Sequence, residues 1–220
     1  MSKKILGISL SIVMLLLLSL GTYKAEGDRV VEEENSISTV TIEGIDCNIT
    51  VEESDNDNFQ YNYDTNIFQV STTKSTLDDV KITIKTKENA EPQFNDRVYI
   101  YIPTNKISKL DVISSNAAIG LAKINTELNI QNNEGVVSFY AFQGLTNDIN
   151  YTSQNGVGTL KIVKEANNYS FNLTNDASVV SIPFSDYKSF SSRYIHKEGE
   201  GSVDINIDLQ ESVFSLLLDV

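Results

Sequence analysis

The chain has very few of the side chains that build reactive centres: one cysteine, one histidine and no tryptophan in 220 residues. A lone cysteine, Cys47, cannot form an internal disulfide, so packing alone must hold the fold. It is either a small side chain on a strand or a reactive thiol. The lone histidine, His196, has no second histidine or cysteine near it in sequence for a zinc site or a nucleophilic triad. The sequence therefore predicts no catalytic residue, no cofactor and no metal site.

Basic residues are also scarce. Lysine and arginine total 17 against 30 aspartates and glutamates, which gives a net charge of -13 at pH 7. A surface this negative repels nucleic acid phosphates and anionic lipid head groups. The charge therefore argues against nucleic acid as a partner.

A long apolar run occurs once near the start, over residues 5–20, directly after Lys3 and Lys4. Residues 1–21 are interpreted as a signal peptide or an uncleaved signal-anchor helix, and both alternatives stay open. Residues 22–36 are charged and aperiodic, which is typical of an acidic linker. Lysines before the run and acids after it predict that the rest lies outside the cytoplasm, secreted or held to the membrane through residues 5–20.

From residue 37 onward apolar and polar residues alternate, as expected for strands with one buried face. No segment after residue 27 has a helical period, so we expect a single all-β domain over residues 37–220. Residues 37–105 form irregular opening strands, and Pro103 ends the last of them because proline cannot donate to a strand ladder.

A short polar motif returns four times in the second half of the chain, between apolar β-rich runs. Its copies are SSNA at 114–117, NNEG at 132–135, SQNG at 153–156 and TNDA at 174–177, with a looser EGEG at 198–201. A period near 20 residues is typical of a solenoid. Residues 106–220 therefore predict a β-roll of two facing parallel sheets, with about 20 residues per coil and a C-terminal cap.

Equivalent residues of successive coils should stack in internal rows. One predicted row is Leu110, Leu128, Ile149 and Phe171, and its neighbour is Val112, Ile130, Tyr151 and Leu173. Gly158 falls where a core residue belongs, so a bulge or a one-residue shift is expected there. The apolar run at 213–218 either covers one end of the stack or promotes association.

The repeated motifs form the corners of the predicted coils. Sharp reversals need backbone near the left-handed region, which glycine and asparagine tolerate. The corner asparagines 116, 132 or 133, 155 and 175 are expected to exchange side-chain hydrogen bonds as a ladder. Turn geometry and stacking therefore account for the motif, and a ligand-binding role is the less favoured alternative.

Two further segments offer candidate sites. The acidic DNDN at 55–58 has oxygen ligands suited to calcium but lacks the later glycine and glutamate of an EF-hand, so a hairpin turn is preferred. Phe139, Tyr140 and Phe142 form either an exposed aromatic patch or, since the phenylalanines align with Leu121 and Ile124, part of the core.

The coils resemble a family of bacterial envelope proteins of the adhesin-like or β-strand-repeat kind, which includes the LiaG type. The likeness covers about 180 residues and is carried by VTI at 40–42, ITV at 49–51, VYIYIP at 98–103, LDV at 110–112, SSNA at 114–117 and GEGSV at 199–203. The corners here depart from the family's usual Ser-Gly-Asp. The resemblance implies a β-solenoid or β-roll outside the cell membrane, often associated with envelope-stress systems, and it implies no catalytic residues.

The function expected from the sequence is that of a non-enzymatic extracytoplasmic envelope protein that contacts envelope proteins or cell-wall glycans. An accessory or sensor component of an envelope-stress response is the alternative, suggested by the resemblance alone. A polysaccharide-acting solenoid enzyme is the third and least favoured reading, because the coils carry few basic residues.

Overall fold

The computed structural model describes residues 29–31, 37–55, 58–74, 79–141, 146–163, 168–188 and 191–219. These residues form eighteen strands and one 3-10 turn, Thr104–Lys106, so the expectation of an all-β chain is confirmed. No helix among them is long and apolar enough to cross a bilayer. The predicted signal or anchor at 1–21 lies outside the described residues.

The strands form two sheets of nine. In chain order the strands are β1 (Arg29–Val31), β2 (Ile37–Ile45), β3 (Asn48–Glu53), β4 (Phe59–Asn62), β5 (Phe68–Lys74), β6 (Asp79–Thr86), β7 (Val98–Ile102), β8 (Ile107–Ser115), β9 (Ala118–Ala122), β10 (Glu127–Asn133), β11 (Val136–Ala141), β12 (Ile149–Gln154), β13 (Val157–Val163), β14 (Tyr169–Asp176), β15 (Val179–Ser181), β16 (Arg193–Glu198), β17 (Val203–Gln210) and β18 (Val213–Asp219). Sheet 1 has the order β1-β4-β7-β3-β9-β11-β13-β18-β15. Sheet 2 has the order β16-β14-β17-β12-β10-β8-β2-β6-β5.

The two sheets face each other across one core, and the chain passes between them at each corner. Strands β8, β10 and β12 pair in parallel in sheet 2, while the strands that follow them, β9, β11 and β13, pair in parallel in sheet 1. Side chains from both sheets meet inside, as where the rings of Tyr151 and Phe214 lie 5.5 Å apart. Each fully buried aliphatic side chain contributes about 1.5 to 3 kcal/mol to this core.

The predicted internal rows are confirmed over their first three members. Leu110 pairs with Leu128, and Leu128 pairs with Ile149. All three side chains are buried. The neighbouring row from Val112 through Ile130 to Tyr151 keeps the same register.

The prediction for the fourth member of both rows is wrong. Strand β17 lies between β12 and β14, so Ile205 separates Ile149 from Phe171, and Ile207 separates Tyr151 from Leu173. In sheet 1, β18 lies between β13 and β15 in the same way. The last two strands therefore form an internal layer, and residues 213–218 do not cover an end of the stack.

The inserted layer is strongly suited to an internal position. Every second residue of β17 is buried, namely Val203, Ile205, Ile207 and Leu209. Both edges of β17 are paired, so none of its ladder groups faces water. The sequence period correctly predicts which face of each strand points inward. It does not predict the order of the strands, because consecutive repeats in the chain need not be adjacent in the stack.

Antiparallel strands cover both edges of sheet 2 and one edge of sheet 1, whereas among the described strands β15 ends the other edge of sheet 1 as a parallel strand. At one end β16 pairs with β14. At the other, β5 pairs with β6, and β4 and β1 extend sheet 1 beyond β7. Because β1 lies within residues 22–36, ordered strand structure begins inside the segment that the sequence suggests is a linker. These strands change direction at the ends, where a parallel stack would otherwise leave an open edge.

Gly158 does not cause the expected bulge or shift. It pairs with Val137 in an uninterrupted register from Val136 to Ala141. A Cβ atom at Gly158 would lie 2.3 Å from the Tyr151 hydroxyl oxygen and 2.9 Å from Phe214. The two rings fill the space that a core side chain would need, so glycine preserves the register here.

The corners have the backbone that the motif predicts. Asn116, Glu134 and Asn155 are left-handed, with φ of 53°, 59° and 54°, and in the fourth corner Ala177 takes this conformation at 53°. A small residue follows the left-handed position in all four of these corners and in two further corners: Ala117, Gly135, Gly156, Ser178, Cys47 and Ser212. A Cβ atom at Gly135 would lie 2.1 Å from the Ser114 hydroxyl oxygen, so this position has no room for a side chain.

Replacing Gly158 with alanine tests the role of the two rings. We expect Gly158→Ala to lower the free energy of unfolding by about 1 to 3 kcal/mol, because the added methyl overpacks the core. Gly120→Ala is the matched control, since its Cβ would lie 3.9 Å from the nearest atom, the Ser138 hydroxyl oxygen, and should change stability by less than about 0.5 kcal/mol. Urea unfolding measures both, and equal effects would contradict the packing argument.

Paired cysteines test the internal position of β17. Asn150 pairs with Asn206, and Asn206 pairs with Asn172. Asn150→Cys with Asn206→Cys should oxidise to a disulfide, because adjacent strands lie about 4.8 Å apart. Asn150→Cys with Asn172→Cys should not, since two strand spacings exceed the roughly 7 Å limit for a disulfide. Thiol titration after mild oxidation distinguishes them, and the reverse result would restore the chain-order stack.

Candidate functional site

The outer face of sheet 2 carries a row of asparagines, one on each of four adjacent strands. In spatial order they are Asn129, Asn150, Asn206 and Asn172, from strands β10, β12, β17 and β14. Each asparagine lies between two buried residues of its strand, as Asn150 does between Ile149 and Tyr151. The strand alternation that buries those neighbours directs the amide outward. We call these four residues the amide row and the outer face of sheet 2 the ladder face.

The amides are joined by hydrogen bonds that run in one direction. The Asn172 amide nitrogen donates to the Asn206 oxygen at 3.0 Å, and Asn206 donates to Asn150 at 2.9 Å. Asn150 donates to Asn129 at 2.7 Å, and Asn129 donates to a carboxylate oxygen of Asp111 at 3.0 Å. Such a chain polarises its own members, and here it ends on an anion.

The row leaves hydrogen-bonding capacity for a ligand. An asparagine amide has two N–H donors and two acceptor lone pairs. Within the row each amide uses one donor, and each oxygen that accepts uses one lone pair. The remaining donors and acceptors lie on a partly exposed surface, so the ladder face can both donate to and accept from a polar partner.

An open groove of about 380 Å³ lies on the ladder face over strands β12, β17, β14 and β16. Its exposed polar side chains include two hydroxyls, Thr152 and Thr174, and two opposite charges, Arg193 and Asp208. Ile195, which is 56% exposed, lies at the groove beside Asn172. The groove therefore combines amides, hydroxyls, one charge of each sign and one apolar side chain.

The two charges of the groove do not neutralise each other directly. Thr174 pairs with Arg193 on one side and with Asp208 on the other, so the charged residues are two strands apart. Among the residues that the structure describes, neither charged group has a side-chain hydrogen bond or an ion pair. Both are therefore free to meet a ligand.

The outer face of sheet 1 has a different character. Val136, Val157, Val213 and Val179 form one outward row across four strands. On the same face the Lys161 amine lies 4.5 Å from the centre of the Tyr140 ring. Among the described strands of sheet 1 no hydrogen-bonded row of amides occurs, so the amide row is restricted to one side of the stack.

The predicted ladder of corner asparagines is wrong. Asn132 is fully buried, and its two N–H groups are shared among the Gly135 carbonyl, the Tyr151 hydroxyl and the Val157 carbonyl, all within hydrogen-bond distance of the amide nitrogen. Asn116 instead donates to Asp46 of the adjacent corner at 2.7 Å. The ladder lies on the sheet face, and the sequence does contain its signal: asparagine between two apolar core residues in four strands.

The other sequence candidates do not converge on the groove. Cys47 is buried at a corner, with its sulfur 3.5 Å from the Ile84 carbonyl oxygen. His196 stacks on Phe184 with ring centres 3.7 Å apart, and its Nε2 atom lies 3.3 Å from Glu198.

The aromatic and acidic candidates divide between described and undescribed residues. Phe139 is buried, as the core alternative expects, whereas Phe142 lies outside the described residues. The 55–58 loop is described only at Asp55 and Asn58. Over the described ranges, no group of three acidic, histidine or cysteine side chains is placed to hold a metal ion.

Solved structures from three bacterial species are similar to this chain over most of its length. A protein from Clostridium sporogenes, proposed to act in cell adhesion, has a TM-score of 0.60 at 11% identity, over 88% of this chain and 99% of that one. A proposed adhesin from Bacteroides fragilis gives 0.36 at 12% identity, over 90% and 100%. A proposed lipid-binding protein from Parabacteroides distasonis gives 0.30 at 11% identity, over 88% and 96%.

The likeness to the Clostridium sporogenes protein is one of fold alone. No family model and no curated protein matches the chain by sequence.

The burial of Cys47 predicts an inert thiol. Desolvation raises the pKa of Cys47 from its ordinary value of 9.0 to about 12. A raised folded-state pKa means that the native state favours the neutral thiol, so this contribution to stability is complete below pH 9 and is lost as pH rises toward 12. At pH 8 iodoacetamide should not label the native protein but should label it in urea. Labelling of native protein at the unfolded rate would contradict this.

Proposed function

We propose that this chain is a non-enzymatic, extracytoplasmic adhesin-like protein of the bacterial envelope, and that its ladder face makes the contacts. We further propose that its stacked two-strand layers constitute a β-solenoid. The observation that carries the proposal is the amide row beside the groove, a continuous polar surface with unused donors and acceptors. The fold that it shares with a proposed cell adhesion protein supports the same role.

The export segment expected at the N-terminus fits this role. If residues 5–20 stay in the membrane, the eight residues between Leu20 and Arg29 can span at most about 30 Å. The body of the protein would then lie close to the membrane, within the cell wall or at its inner surface. Cleavage would instead release it to the wall or the medium.

Binding to envelope material tests the role of the ladder face. We expect the purified protein to be retained on isolated bacterial cell walls or on immobilised envelope proteins. Asn206→Leu, in the middle of the amide row, should reduce retention about tenfold, because it removes hydrogen bonds to Asn150 and Asn172 and leaves an apolar side chain on the contact surface. Sedimentation with cell walls and surface plasmon resonance measure this.

Asn133→Leu is the matched control, because Asn133 is exposed at the corner end of β10, outside the groove and four residues, or about 13 Å, from the amide row at Asn129. Circular dichroism confirms that both variants fold. Retention equal to the native level in Asn206→Leu, or retention by neither material with the native protein, would end the proposal.

A further inference from the structure

The groove of the ladder face presents hydrogen-bonding groups that both donate and accept. Asn150, Asn206 and Asn172 line it together with the hydroxyls of Thr152 and Thr174. None of these five side chains carries a charge. A ligand with hydroxyl groups, each of which both donates and accepts, satisfies such a surface better than a ligand with donors alone or acceptors alone.

The charges at the groove favour a ligand without net charge. Arg193 and Asp208 lie on either side of Thr174 and lack side-chain partners within the described part of the chain. A hydroxyl accepts from a guanidinium and donates to a carboxylate, and such charge-assisted bonds are roughly twice as strong as neutral ones. A polymer of one sign would be attracted by one of the two residues and repelled by the other.

The shape and the apolar contact fit a sugar ring. The groove volume of about 380 Å³ lies within the range of small-molecule sites, about 300 to 1,000 Å³. A pyranose ring has C–H groups on its faces and hydroxyls around its rim. The exposed Ile195 side chain offers an apolar contact for a face while the amides and hydroxyls serve the rim.

The amide row favours a linear ligand that lies across the strands. Its members recur once per strand, at a spacing of about 4.8 Å, and continue from Asn172 past the groove to Asn129. A linear polymer that lies across the strands meets another amide at each step, whereas a single sugar would use only one part of the row.

An extended peptide is the less suitable occupant. Strand addition requires an unpaired strand edge, but β12, β17 and β14 are each paired on both sides. A peptide added to the outer edge of β16 would lie beside the sheet and would not cover the amide row. A peptide on this face would contact side chains only and would leave most of its backbone groups without partners. A glycan has no such backbone to satisfy.

We propose that the groove and the amide row bind a neutral, hydroxyl-rich linear glycan, with one sugar ring in the groove and the chain lying along the row. This assignment rests on the proposed function and names its ligand class. The protein contributes binding alone in this proposal, with no covalent step.

An array of linear neutral, anionic and cationic oligosaccharides, probed with the full chain, tests the ligand class. We expect binding to neutral members, among them β-1,4-linked glucose or N-acetylglucosamine oligomers, followed by titration calorimetry on the strongest. Asp208→Asn and Arg193→Gln should each weaken the affinity about tenfold, because each removes one charge-assisted bond. Asn133→Leu should leave it unchanged.

Binding confined to charged members, or to none, would overturn the glycan assignment, as would affinities unchanged in both charge variants. The two proposals fail separately. If cell-wall retention depends on Asn206 while neutral oligosaccharides neither bind nor compete, the ladder face is a contact surface for another ligand. If retention is independent of Asn206, both proposals fall.

Discussion

The register between parallel strands is the constraint on which the rest of this structure depends. Because side chains alternate along a strand, a slip of one residue would turn every core residue outward. In β12 such a slip would bury Asn150 and expose Ile149 and Tyr151, at the cost of both the core and the amide row. The core and the ladder face are therefore two sides of one register, which the aliphatic rows hold in place.

The internal position of the last layer solves the problem of how to end a parallel stack. An outermost parallel strand leaves a row of unpaired backbone groups. Here β14 forms the outer parallel layer, β16 returns antiparallel to cover it, and the chain then re-enters the stack as β17 and β18. The same device occurs at the other end, where β2 and β3 lie inside β6 and β7. Antiparallel strands thus cover three of the four sheet edges, whereas among the described strands β15 ends sheet 1 as a parallel edge strand.

The features that the sequence could predict are those that depend on local spacing. Leu110, Leu128 and Ile149 occupy equivalent places in consecutive repeats, so alternation and period suffice to stack them. Asn116 and Asn155 take the left-handed backbone that their motif requires. The position of Phe171 in the stack cannot be predicted in this way. Strands β14 and β17 show the same inward alternation, and only three-dimensional packing decides which of them lies next to β12.

Gly158 and the amide row were missed for a related reason. Glycine keeps its place in the core only because Tyr151, from the opposite sheet, and Phe214, from an adjacent strand, fill the space beside it. Asn206 becomes part of the row only after β17 enters the stack between Asn150 and Asn172. Local periodicity cannot anticipate contacts that depend on the order of strands in space.

The contrast between corner and face supports the proposal that the contacts are made by the face. At the corners the amides serve the fold, since the two N–H groups of Asn132 are shared among two carbonyls and the Tyr151 hydroxyl. On the ladder face the strand ladders already satisfy the backbone, and each amide spends only part of its capacity on its neighbours. The amide donors and acceptors that make no hydrogen bond within the row remain available to a partner, and they lie in a line beside the groove. A surface of this kind can be altered residue by residue without disturbing the core that holds it in register.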